Sequence, residues 1–432
     1  MEVQSVETRK LGLGREAVEQ LAERFGEPDW FRERRLRAWE TFENTPMPTL
    51  QDEEWRRTDV RRLKLDRFAL PTEPGAGLAP ETPPDHGSGY VRFVDGFPVQ
   101  TELEQAAADQ GVVLSTISEA AAGRPELIQK YLGALLPPEY GKFAALSDAL
   151  GTGVFLYVPR NVQVELPIQV GTTMTAGGSA VFPRTLIVAE ENTSVTLIER
   201  WHSEEHQTES LACGAVEVFT GVGANVRYVS VQEWGRNVWS FQAQKHALDR
   251  DAQNNSLTIA LGGKFTKGNV EAELRQKGAS CEMLGLYFGD ESQFFDYHTV
   301  QDHAAPNCTS DLLFKGVMTG KSRAVFSGLI RVRPGSNKTD AYQTNRNLLL
   351  SDTSRADSIP NLEIETNDVK CSHGASIGPI DKEQLFYLMS RGLVKRDAER
   401  MIVDGFFDPI VKRIPLEGVR ERLQEAVEQK MG

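Results

Sequence analysis

The chain has 432 residues, 40% of them hydrophobic and 25% charged, with a formal net charge of −13. That length favours two or three domains with ample material for a core. The acidic balance argues against nucleic acid or an anionic membrane as the main partner, because counterion release needs clustered Lys and Arg.

No run of about 18 apolar residues occurs, and the opening MEVQSVETRK lacks the apolar core of a signal peptide. Residues 14–43 read as two helices. Val18, Leu21, Ala22 and Phe25 recur at helical spacing before Gly26, and Phe31, Ala38, Trp39 and Phe42 follow Pro28 and Asp29. The basic cluster Arg32 to Arg37 alternates with apolar and acidic residues and reads as the wet side of the second helix. An element Glu53-Glu54-Trp55-Arg56-Arg57-Thr58-Asp59 follows, then a Pro- and Gly-rich loop from Leu70 to Gly89, a short strand Tyr90 to Val94, and helix-like sequence up to about Leu150. Residues 1–150 therefore read as a mostly helical N-terminal domain for packing or docking, without chemistry of its own.

From residue 151 to 379 the pattern changes to short β runs punctuated by Gly, Asn and Pro: Val154–Pro159, Ser194–Glu199, Ala215–Phe219, Asn225–Val231, Asn269–Leu274 and Asn361–Glu365. Helix signals are nearly absent, which leaves a sandwich, a barrel, a propeller or a β-solenoid. No propeller repeat recurs, and a solenoid with an irregular repeat of about twenty-odd residues per coil uses the length naturally.

Several patterns in this stretch imitate active sites. Gly316-Val317-Met318-Thr319-Gly320-Lys321-Ser322 is one residue short of a phosphate-binding loop, and the strand-like Arg323-Ala324-Val325-Phe326 follows it where a helix is required, so a β-turn is expected. His202-Ser203-Glu204-Glu205-His206 matches an inverted zinc-protease pattern, which works only on a helix; strand-like runs flank it, and a loop is expected. His298, His303 and Cys308 lie around Pro306 with a spacing that fits no zinc template. Four cysteines (Cys213, Cys281, Cys308, Cys371), spread widely with no C-x-x-C, fit a reducing cytoplasm and exclude a self-contained cluster of ferredoxin spacing.

Asp368 to His373 suits an extended strand. Val369, Cys371 and His373 then share one face, with thiol and imidazole about 7 Å apart. Such a pair can help to hold a metal or cluster when further ligands come from elsewhere. A buried Cys packing beside a hydrogen-bonded His fits the local sequence as well.

The tail reads as helical again. Asp381 and Gln384 suit a helix start and Gly392 a left-handed cap. Leu385, Leu388 and Met389 form an apolar stripe. A second helix is expected to put Ala398, Met401, Ile402 and Gly405 on one face, and a third Leu416, Val419, Leu423 and Val427.

The stretch from Ala341 onward, together with the Glu53–Asp59 element and the Gly320-Lys321-Ser322-Arg323-Ala324-Val325-Phe326 turn, closely resembles the SufB/SufD family of iron–sulfur cluster assembly scaffolds. SufB-type chains carry a Cys six residues before the Pro of a motif resembling C-G-A-H-T-x-P-Y-I-E, and a Glu in a later E-H-E-A-T element. Here Ser354 stands six before Pro360, and the later element reads Lys370-Cys371-Ser372-His373-Gly374-Ala375. A serine is neither a sulfur acceptor nor a soft-metal ligand, so the resemblance is to the other branch, which lends a ligand.

The resemblance implies a mainly β fold: a right-handed parallel β-helix over residues 151–379, flanked by the N-terminal domain and a C-terminal helical domain over residues 380–432. It implies a cytoplasmic, non-catalytic subunit that pairs with a SufB-like paralogue through the β-helix cores. His373 is expected as an iron ligand of a transient iron–sulfur cluster at that interface, with Cys371 supporting it. A SufC-like ABC ATPase is expected to dock on the C-terminal helices through Leu385, Leu388, Met389, Met401, Ile402 and Phe406. A reduced flavin accompanies the complex in the family; no residue here places it. The isolated chain could pair with itself. Two other functions suit the residues alone: a solenoid carbohydrate-active enzyme, which would need paired carboxylates on adjacent coils, and an inert scaffold in which Cys371 and His373 only pack.

Overall fold

The computed structural model describes residues 10–75, 87–414 and 417–431. The leader reading of residues 1–9, most of the Leu70 to Gly89 loop, and Leu416 lie outside these.

Parallel strands wind into a β-solenoid of about eight turns, each giving one strand to each of two sheets. Successive turns advance by 26 residues at the shortest, where Trp239 lies beside Phe265, and by 32 at the longest, where Arg323 lies beside Arg355. The shorter turns match the twenty-odd residues expected and the longer ones slightly exceed it, because each turn holds two strands of seven to eleven residues as well as two corners. Strict alternation builds the interior. In Ser194–Ser203 every second residue is buried: Val195, Leu197, Glu199, Trp201 and Ser203. Glu199 is tolerated there because Thr185, Trp201 and Tyr228 all donate to its carboxylate, while burial pushes its pKa up.

The N-terminal end of the solenoid is closed. Strand Phe97–Leu103 pairs antiparallel with Gly89–Val94, which continues the first sheet, and Val113–Thr116 pairs antiparallel with Thr152–Val158 of the second. Ala107, Val112 and Leu114 pack under the first turn. Helices Arg15–Arg24, Asp29–Asn44 and Lys142–Leu150 cover the outer face of the second sheet, burying Val18, Trp39 and Leu146 against Leu211, Trp239, Phe241 and Phe265.

The Arg32 to Arg37 cluster corrects one expectation, since its centre is dry. Arg35 is 1% exposed and forks onto the carboxylate of Glu27 at 2.7 Å through both Nε and Nη2. Arg34 reaches Asp148 at 2.7 Å, Asp148 meets Arg184 at 2.5 Å, and Arg184 meets Glu217 at 3.0 Å. This ion chain bolts the helices to the solenoid. The Glu53–Asp59 element is a second bolt: Lys267 Nζ bonds both Asp296 (2.9 Å) and the Glu54 carbonyl (3.1 Å), and the Thr58 hydroxyl donates to Asp296.

The C-terminal helices Lys395–Val411 and Glu417–Met431 lie on the outer face of the first sheet. Val403, Phe407, Ile410, Val419, Leu423 and Val427 are buried against Val231, Leu257, Leu284 and Phe288. The buried face of Lys395–Val411 therefore departs from the expected one. Ala398 faces in, but Met401 is exposed and Gly405 lies on the open side, because Val403, Phe407 and Ile410 match the sheet. The expected Val419, Leu423 and Val427 are buried together. Among the described residues, no helix is long and apolar enough to cross a membrane.

Candidate functional site

Neither tail covers the last turn. Strands Arg355–Ile364 and Val369–Pro379 end the two sheets, each paired on one side only. Their inward residues continue the core columns: Leu362 follows Ile330, Ile364 follows Val332, and Ile377 follows Asn347. Among the described residues nothing covers them, and Leu362, Ile364 and Ile377 are 37%, 41% and 42% exposed. The solenoid thus ends in a bare cross-section of its own core, flanked by two unpaired strand edges.

The expected metal pair lies on that cross-section. Cys371 stands in register with Ala341 and His373 with Gln343, both buried and inward-facing, so thiol and imidazole share the inner face as the alternation requires. Cys371 is half-buried against Ile330, Val332 and Ala341, whereas His373 is exposed. Burial, and then the charge of Asp340, raises the Cys371 pKa, which favours the protonated thiol in the lone chain. Among the described residues, no three His, Cys, Asp or Glu side chains are grouped to hold a metal ion. Cys371 and His373 thus share this face without a third such side chain grouped with them among the described residues.

Ser354 sits at a corner, away from this face. It is 4% exposed, and its hydroxyl donates to the Ser351 carbonyl at 2.8 Å, so its role here is to shape a turn. The imitation sites dissolve as well. Gly316–Ser322 runs from strand Thr309–Met318 through a turn, with Gly320 at φ +62°, into strand Arg323–Val332. His202 ends a strand and His206 lies in the loop after it. His298 and His303 occupy strand Phe294–His303, which replaces the expected loop and sends them to opposite faces. His298 pairs with Asp296 at 3.1 Å and His303 bonds Ser310 in the interior.

On the tail, helix Lys382–Ser390 starts at Asp381, whose carboxylate accepts the Glu383 and Gln384 N–H groups, and Gly392 takes φ +97° after it. The helix buries none of its residues. Of the expected docking residues, Leu385, Leu388, Ile402 and Phe406 are half-buried, and Met389 and Met401 are exposed. Phe406 is partly engaged: its carbonyl accepts from Lys315 Nζ, which lies 4.7 Å from its ring. Sequence reasoning missed Phe386 and Tyr387, which are 73% and 56% exposed. Looking for an apolar stripe skips such neighbours, because an aromatic left outside the stripe has no periodic signature.

A helix-flanked parallel β-solenoid whose last described turn leaves core residues and strand edges open is the architecture of a protein that associates with others. Two family models match consecutive parts of the chain: the SufBD protein N-terminal region over residues 16–170, and the SUF system FeS cluster assembly SufBD core domain over residues 172–406. The iron–sulfur cluster assembly protein SufD of Bacillus subtilis is 31% identical over 98% of this chain and 99% of its own length. SufBD family proteins of Staphylococcus haemolyticus and Staphylococcus aureus are 27% and 28% identical, over 94% of this chain and 90% of theirs. The chain belongs to the SufB/SufD family of iron–sulfur cluster assembly proteins, on its SufD side.

Proposed function

We propose that this chain is a non-catalytic, cytoplasmic scaffold subunit of the SUF assembly complex that pairs through its bare solenoid end with a SufB-like paralogue. The observation that carries the reading is that end: exposed core residues, two free strand edges and an incomplete donor set, all on one surface. A second solenoid laid against it would bury Leu362, Ile364 and Ile377, extend both sheets and bring the missing ligands. His373 would bind iron of the nascent cluster as a neutral imidazole, with Cys371 as a supporting thiolate once the metal has displaced its proton. The cluster is cargo, made at the joint and passed on. In an isolated preparation the same end would let two copies pair. The complex would carry a reduced flavin at a place that no residue of this chain marks.

Co-expression with a SufB-type chain tests the pairing. Ile364→Asp combined with Ile377→Asp should leave a folded monomer, since both side chains already face solvent. Pairing should weaken on the order of 100-fold or more, because each carboxylate would be buried unpaired in the joint. A double variant that pairs with undiminished affinity would overturn the interface.

A SufC-like ABC ATPase would dock on the exposed helix Lys382–Ser390 and the adjoining Met401. Removing the whole tail cannot test this cleanly, because Val231, Leu257, Leu284 and Phe288 would lose their cover. Phe386→Asp with Met401→Asp is the better probe. Thermal stability and SufB pairing should be retained within about 0.5 kcal/mol, as for other surface changes, while the ATPase subunit is no longer held on this side of the complex. An ATPase subunit still held on this side of the complex would refute the assignment.

A further inference from the structure

The inward face of strand Thr339–Leu349 forms the last covered layer beneath the bare end, and it is a row of amides: Gln343, Asn345 and Asn347 are all at most 4% exposed. The layer below has Leu312, Phe314 and Gly316 in the same columns, so the polarity begins where the open turn begins. Two of the three amides are satisfied. Asn347 Nδ2 donates to Asn345 Oδ1 at 2.7 Å, the Tyr287 hydroxyl donates to Asn347 Oδ1 at 2.6 Å, and Asn345 Nδ2 reaches the Phe314 carbonyl at 3.3 Å.

Gln343 is different. Its Nε2 donates to the Gly328 carbonyl at 3.3 Å, and its Oε1 is buried without a partner. The amide lies flat on Gly328: a Cβ there would stand 2.5 Å from Oε1 and 2.9 Å from both Cδ and Nε2. Glycine makes the seat, and the bond from Nε2 fixes which way the amide faces. Oε1 therefore needs a donor. Its column neighbour below is Leu312, and the strand beyond Gly328 has Pro360 in register, which has no N–H. In register on the adjacent strand, on the same inner face, stands His373, about 4.8 Å away along the ladder.

We propose that Gln343 is the positioning residue of His373. When the end is covered, Gln343 Oε1 accepts the N–H of one imidazole nitrogen, which holds the ring in one tautomer and turns the other, bare nitrogen toward the cargo iron. The inference rests on the reading of His373 as a ligand and adds what aims it.

The test uses the reconstituted complex with SufB-type and SufC-type partners, comparing Gln343→Met, Gln343→Glu and Gly328→Ala with the parent and with His373→Ala. Iron and sulfide per complex are measured beside the melting temperature, and pulsed electron paramagnetic resonance of the reduced cluster reads the nitrogen coupling of the bound imidazole. Gln343→Met should assemble but carry about tenfold less cluster, with the nitrogen coupling of the remainder altered. Gln343→Glu, which keeps an acceptor oxygen, should restore at least half. Gly328→Ala leaves Gln343 in place but lifts its amide off the seat, and should reproduce the loss should Gln343→Met fail to fold. Full cluster with an unchanged coupling in Gln343→Met, or equal losses in the Met and Glu variants, would overturn the positioning role. Because His373→Ala is run alongside, the two ideas fail separately: loss there with none in Gln343→Met removes only this inference, whereas full cluster in His373→Ala removes the ligand reading and this inference with it.

Discussion

A His373→Ala chain is expected to fold, pair and bind its ATPase normally, yet yield a complex with about tenfold less iron and sulfide or worse. The exposure of His373 sharpens the experiment. A side chain exposed in the lone chain should cost no more than about 0.5 kcal/mol of stability when cut back, so a lost cluster cannot be blamed on a lost fold. A purely structural histidine would behave in the opposite way, with stability falling by about 1–3 kcal/mol and cluster content following the folded fraction. Cys371→Ser should show a smaller cluster defect, since the hydroxyl keeps the size and loses only the soft donor. If the serine variant proves the more damaging, the two residues exchange roles. A His373→Ala complex with full cluster content and normal client maturation would sink the ligand role.

The largest stability effect is expected at Arg184. Its guanidinium is 3% exposed and lies between Asp148 and Glu217, whose side chains are 2% and 1% exposed. Arg184→Ala would remove the cation between two buried carboxylates, leaving Asp148 to Arg34 and Glu217 to the Gly133, Leu135 and Leu136 N–H groups, at a cost of about 3 kcal/mol, read as a drop in the denaturant midpoint at neutral pH. The pH dependence has a definite sign. Burial alone would raise the Asp148 pKa, but Arg184 and Arg34 outweigh it and hold the carboxyl below its ordinary value. The stability this carboxylate contributes is therefore present above about pH 4, its unfolded pKa, and is lost as the pH falls through the lower folded value. Without Arg184 the largest charge opposing burial is gone and the Asp148 pKa rises, so the variant's deficit should shrink on acidification as Asp148 takes up a proton. A loss under about 1 kcal/mol, or a deficit that grows in acid, would show that the chain of charges does not hold the helices to the solenoid.

The legible part of this fold was its alternation. Runs such as Ser194–Glu199 and Asn225–Val231 announce strands because every second residue must be apolar on a half-buried ribbon, and the face shared by Cys371 and His373 follows from the same period. What periodicity cannot express is which strand lies beside which. The amide row under His373 and the bareness of the last turn depend on registers between residues about thirty apart, and the burial of Arg35 depends in part on Ala149, 114 residues away. No local window contains them. Arg35 looked wet because its neighbours are wet, and only Glu27 and the Ala149 carbonyl make its burial affordable. His298 and His303 looked like a loop because Pro306 follows them, although the turn begins only after His303.

The unequal ends of the solenoid also decide how far association can go. A rod with two sticky ends adds copies without limit and grows into a filament, the usual hazard of open sheet edges. Here one end has its core covered by antiparallel strands and by Ala107, Val112 and Leu114, whereas the other leaves Leu362, Ile364 and Ile377 exposed. Two such rods joined by their sticky ends present stoppers outward on both sides, and growth halts. Under the proposed pairing the N-terminal stopper would serve as a chain terminator and hold the assembly at two solenoids.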